Sequence, residues 1–197
     1  MKTSSFKSFK NRVGISALLL VFLTGCGESA NKEKVATAVT NEKSVPKPTM
    51  DLQAAILSNN IEAVEQHIQA GTDLNKKDAM SGSTPLITAA SFGKIEIAQK
   101  LIDAGANLTT KNNDGATALH TAAFFGRVEI VQMLIDANVD KSVQNNFGAT
   151  ARESVMGPFE EMKPIYEMLK QQLEPLGMQI DLSEIEKTRP VIAMMLQ

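Results

Sequence analysis

Residues 115–140 read GATALHTAAFFGRVEIVQMLIDANVD, and residues 82–107 read GSTPLITAASFGKIEIAQKLIDAGAN. Set 33 residues apart, the two stretches agree at 15 of 26 positions. The Gly-x-Thr opening recurs once more at Gly148, after a further 33 residues. Self-similarity at a fixed period of this length marks an architecture of stacked units, each too small to bury its own apolar face.

Each unit holds two short helical patterns around a turn, LITAASFG then IEIAQKLIDAG, and LHTAAFFG then VEIVQMLIDAN. In the second helix Ile97, Leu101 and Ile102, with their counterparts Ile130, Leu134 and Ile135, form one apolar stripe. Thr84-Pro85 and Thr117-Ala118 suit a cap followed by the first helical residue. Gly105 falls where a helix ends in a left-handed residue, and Asn138, the second choice for that conformation, replaces it one unit later.

These features resemble the ankyrin repeat. Its T-P-L-H-x-A signature is divided between TPLITA (Thr84–Ala89) and TALHTA (Thr117–Ala122), with the pairs Ala89/Ala90 and Ala122/Ala123 and with Gly93 and Gly126 between helices. The resemblance implies an all-α solenoid of helix-turn-helix units joined by finger loops, with His120 a structural residue that links neighbouring units. An earlier copy near Met50, DLQAAILSNNIEAVEQHIQAGTDLN, lacks a finger and the signature, as suits an N-terminal cap. A fourth copy opens at Gly148 and resumes at PIYEMLKQQLEPLG with two extra residues, which predicts its second helix there. About four repeats thus occupy residues 49–176. Residues 177–197 read as a helical cap over the open end, with capping-box spacing at Ser183 and Glu186 and a short helix restarting at Pro190.

The N-terminus has a different character. Four cations in MKTSSFKSFKNR precede the 11-residue apolar run VGISALLLVFL, the pattern of an export signal too short to span a bilayer as a helix. LTGC (Leu23 to Cys26) then resembles the lipobox of bacterial lipoproteins, and Cys26 is the only cysteine in the chain. That resemblance implies removal of residues 1–25, lipidation of Cys26 and anchoring to a membrane of the bacterial envelope. Gly27 in place of Asp points to the outer membrane, facing the periplasm. Residues 26–48 read as a polar tether with an r.m.s. reach of roughly 25–30 Å.

Net charge is −2 for the whole chain and −6 without residues 1–25, which leaves 16 basic against 22 acidic residues. Such a surface offers no general attraction to nucleic acid. Two histidines and one lipidated cysteine do not make a zinc set, and no nucleophile elbow, zincin helix or phosphate loop is present. The sequence therefore predicts no enzyme, no cofactor and no metal. Met133, Met156, Met162, Met168, Met178, Met194 and Met195 crowd the C-terminal third. They allow an alternative role in metal or oxidative-stress handling, against ordinary core filling.

What remains is surface. In ankyrin repeats partners are met by the finger tips and the exposed side of the first helices, which together form the concave face. Carried onto this chain, those positions are Met80, Ser81, Ser83, Ser91 and Phe92 in the second copy. They are Asn113, Asp114, Ala116, Phe124 and Phe125 in the third, and Asn146, Phe147 and Ala149 in the fourth. Phe92, Phe124, Phe125 and Phe147 are expected to form one aromatic strip, the kind of anchor interfaces favour. The expectation is a monomeric, membrane-anchored, non-enzymatic module that binds an unidentified protein partner through its concave face.

Overall fold

The computed structural model describes residues 47–197. Six helices come in pairs: α1 (Leu52–Leu57) with α2 (Ile61–Gln69), α3 (Pro85–Ser91) with α4 (Ile95–Asp103), and α5 (Ala118–Phe124) with α6 (Val128–Asp136). A short α7 (Glu153–Met156), a 15-residue α8 (Phe159–Leu173), a single 3-10 turn (Glu174–Leu176) and α9 (Leu182–Met195) complete the order. Among the described residues there is no named strand, only an isolated antiparallel bridge between Gln144 and Thr150.

Local chemistry sets the helix starts. Thr84 and Thr117 accept from the backbone N–H three residues on, with Pro85 at the first position of α3. Thr150 repeats the device, exchanging hydrogen bonds with Glu153. Asn138 has φ 57° and Gly105 φ 81°, so both second helices end in the left-handed region that their sequences anticipate.

Packing follows the repeat. The first helices α1, α3, α5 and α7 form one row, and α2, α4 and α6 a second. Between them lies a continuous apolar core that includes Ile56, Leu86, Ile87, Leu101, Leu119 and Leu134, all buried. Alanines at 89, 90, 122 and 123 are fully buried where the inner helices meet, so the close approach is made by small side chains.

The fourth unit departs from the sequence expectation. Its second-row position, expected at PIYEMLKQQLEPLG, is taken by α9, which packs on both α6 and α7 and adds Ile192 and Leu196 to the repeat core. Residues 157–181, with α8, form an insertion between the two helices of that unit. The expected restart at Pro190 is also corrected, because α9 runs through it. Pro190 and Glu186 are both exposed, which leaves the carbonyl freed by the missing N–H open to water. The N-cap of α9 is Asp181, which accepts from the N–H of Glu184, and the capping box expected at Ser183 and Glu186 is not used.

Candidate functional site

The finger loops are built by one side chain each. Asn112 Oδ1 accepts from the N–H groups of Asp114 (3.0 Å) and Ala116 (2.8 Å), and Asn145 Oδ1 from those of Phe147 (2.9 Å) and Ala149 (3.1 Å). In the first finger, one residue longer, Asp78 accepts from the N–H groups of Met80, Ser81 and Ser83 and from the Ser81 hydroxyl. Partial burial of the Asp78 carboxyl raises its pKa, but these hydrogen bonds outweigh that effect and hold it below the ordinary carboxylate range. Equivalent bonds therefore place Met80, Asp114 and Phe147 at three corresponding tips. Met80 is 92% exposed and Phe147 83%.

The tips are also tied to one another. Asn113 Nδ2 donates to the carbonyl of Met80 and its N–H to that of Ser81, while Asn146 Nδ2 donates to the carbonyl of Asn113 and its N–H to that of Asp114. The approach is so close that a Cβ on Gly82 or Gly115 would stand 2.3 Å from Asn113 or Asn146 Oδ1. The side chains of Asn113 and Asn146, expected to face a partner, instead join finger to finger. Ser81 and Ser83 belong to the Asp78 network, and Ser91 Oγ donates back to the Ile87 carbonyl. Ala116 and Ala149 are half-buried at the finger bases, where their N–H groups are already used.

His120 lies under this ladder. Its Nε2–H donates to the Ala149 carbonyl of the next unit at 3.0 Å, and its Nδ1 accepts from Thr117. Burial disfavours the imidazolium and lowers the His120 pKa; the Ala149 bond opposes this and Lys111 adds to it. His67 does comparable work in the first unit, between Thr72 and the Met50 carbonyl. Both histidines are structural.

The expected aromatic strip is not one surface. The fingers lead into the N-termini of α3 and α5, whereas Phe92, Phe124 and Phe125 sit at the C-terminal ends of these helices, about 10 Å away for seven residues. There they enter a second apolar cluster with Tyr166, Met178, Ile180 and Ile185 from the insertion and α9. Phe125 is 8% exposed and not available to a partner. Phe124 meets Phe125 edge-on at 5.0 Å and Tyr166 at 4.6 Å between ring centroids. Tyr166 donates to the Phe124 carbonyl and accepts from Arg189 Nη1, and Arg189 Nη2 donates to the Gly157 carbonyl. Burial pushes the Tyr166 phenol up in pKa, while Arg189 acts the other way. Arg127 closes the lower edge through the carbonyls of Ser91 and Gln179.

The methionines of the C-terminal third do not gather. Met178 is buried in the second cluster with Met162 packed against it, while Met156, Met168 and Met194 are exposed. Among the described residues no group of three or more His, Cys, Asp or Glu side chains is placed to hold a metal. Cys26, the expected lipidation site, and the expected signal segment 1–25 lie outside the described residues, as does nearly all of the expected tether.

Sequence had not singled out Asp78, Asn112, Asn145 and Tyr166. The first three stand in NN-x-G-A-T and its variant at the repeat interval, so the period itself carried their signal. Tyr166 is the only tyrosine in the chain but has no repeat counterpart.

Two rows of stacked helices, regular finger loops and no sheet define a helical-repeat scaffold, a class that offers extended binding surfaces. Residues 52–145 match a family model described as ankyrin repeats (3 copies), and the described residues form an all-α ankyrin-repeat solenoid. Over 64 residues the chain is 41% identical to Protein phosphatase 1 regulatory subunit 27 of Homo sapiens and to its counterpart of Mus musculus. That alignment spans 32% of this chain and 41% of each relative, less than half of either protein. Among solved structures, the ankyrin repeat domain of Bcl-3, described as a unique member of the IkappaB protein family, matches with TM-score 0.51 and 29% identity. The match covers 52% of this chain and 45% of that one. The family match ends at residue 145, ahead of α7, α8 and α9.

Proposed function

We propose that this chain is a non-enzymatic protein-binding module, held on a membrane of the bacterial envelope through lipid on Cys26. The observation that carries the binding function is the finger edge. Met80, Asp114 and Phe147 are exposed at equivalent tips, on loops fixed by side-chain and inter-finger hydrogen bonds. Ordering costs little at such an edge, because the backbone is already set before a partner arrives. An exposed Met and an exposed Phe flanking a carboxylate suit a protein surface with two apolar recesses around a donor. The similarity to a named regulatory subunit is consistent with a role exercised through another protein.

Anchoring rests on the sequence of residues 1–26. Among the described residues no helix is long and apolar enough to cross a membrane. Lipid on Cys26 would hold the domain at the surface, and two or more acyl chains bind a bilayer far more firmly than one.

Photocrosslinking in native membranes tests both parts. With benzoylphenylalanine at Phe147, one discrete polypeptide adduct is expected; with the same probe at Gln132 on the outer helix α6, none. Equal labelling from both positions contradicts a finger-edge site. Recovery of a Cys26→Ser chain in the membrane fraction at parental levels contradicts the anchor.

A further inference from the structure

The insertion between α7 and α9 is unlike anything else in the fold. With α9 seated beside α6 and α7, the two rows of the solenoid continue without α8. The chain nonetheless leaves at Gly157 and returns past Gly177, two glycines with open space around them. Between them α8 carries Phe159, Met162, Tyr166, Leu169 and Leu173, at i, i+3, i+7, i+10 and i+14, an apolar seam along one side of a helix. These five residues all pack in the second cluster, which brings in Phe92, Phe124 and Phe125 of the repeats. The other side is exposed and charged, with Glu160, Glu161 and Glu167. The ion pairs of α8, Lys163–Glu160 and Lys170–Glu174, run along its own length and the following turn.

This is the geometry of an amphipathic helix laid on a hydrophobic groove. We propose that the C-terminal ends of α3 and α5 form a helix-recognition groove that α8 occupies in cis. The partner that fits it is a protein presenting an amphipathic helix with the same apolar spacing and an aromatic residue at the central position. The proposal deepens the protein-binding function above and rests on it. The central aromatic would take the place of Tyr166 against the Phe124 ring, with Arg189 facing its polar end. The partner helix would enter as α8 swings out on Gly157 and Gly177, leaving α9 in the stack.

A fluorescein-labelled peptide of residues 158–176 is the probe, titrated by anisotropy into the full chain and into the full chain carrying Tyr166→Ala. The peptide is expected to bind the variant at least tenfold more tightly than the parent, and to lose that binding when Phe124→Ala is added. Equal affinities, no binding to either chain, or binding indifferent to Phe124 would overturn the proposal. Dimerisation of the Tyr166→Ala chain without peptide binding would assign the groove to a second copy, and overturns it too. Should the variant unfold, native-state hydrogen exchange of the parent decides: α8 amides must exchange at least tenfold faster than those of α5. Exchange of α8 together with α5 rules out separate opening. None of these failures touches the crosslink expected at Phe147, so the groove and the finger edge stand or fall separately.

Discussion

Tyr166 is fixed to Phe124 twice: its hydroxyl donates a 2.7 Å hydrogen bond to the Phe124 carbonyl, and the two rings lie 4.6 Å apart. The same hydroxyl accepts from Arg189, a residue 3% exposed whose second nitrogen meets only the Gly157 carbonyl. One phenol thus joins the insertion, the third repeat and α9.

Removing that oxygen should cost more than one ordinary hydrogen bond. Tyr166→Phe leaves the buried Arg189 guanidinium short of an acceptor, and a loss of about 1–3 kcal/mol is expected. Urea unfolding measures it. In an Arg189→Met background the same substitution should cost less, because no stranded cation remains.

Two glycines with similar φ should respond differently to alanine. Gly105 (φ 81°) has nothing within 4 Å of an added Cβ, so Gly105→Ala carries only the left-handed penalty of about 1–2 kcal/mol. Gly115 (φ 73°) would also set its Cβ 2.6 Å from the Asn146 backbone nitrogen. Gly115→Ala is therefore expected to destabilise further and to loosen the third finger, visible as faster amide exchange at Asn146. Equal losses for the two variants would contradict the close packing of the fingers.

The lowered pKa of His120 makes a signed prediction. The unfolded chain takes up a proton near the ordinary value of about 6.5 while the folded chain still resists it. The His120 contribution is complete above that pH and is lost as pH falls through the lower folded value. Between pH 7.5 and 5.0 the parent should lose more of its urea midpoint than a His120→Gln variant does. An unchanged difference would mean that His120 is not held neutral.

The repeat was legible because stacking imposes it. Thr84, Thr117, Gly105 and Asn138 each perform a local backbone task, so each is written at the 33-residue interval. The insertion was not legible. PIYEMLKQQL has the apolar spacing of a second-row helix, and nothing local distinguishes it from α9. Which of the two sits beside α6 is decided by contacts between distant residues, such as Ile192 and Leu196 with the repeat core. The same long-range choice buried Phe125 and separated Phe147 from the other rings. The tips at Met80, Asp114 and Phe147 followed from the period alone, and there sequence and structure agree on exposure.

The central claim is that the finger edge holds a protein. It is tested most directly by replacing Met80 and Phe147 with serine together and measuring how much captured partner the chain retains from cross-linked native membranes. Both side chains are exposed, so the urea midpoint should not change. The account predicts a parental midpoint with partner recovery reduced at least tenfold. Parental recovery by a folded double variant would contradict it.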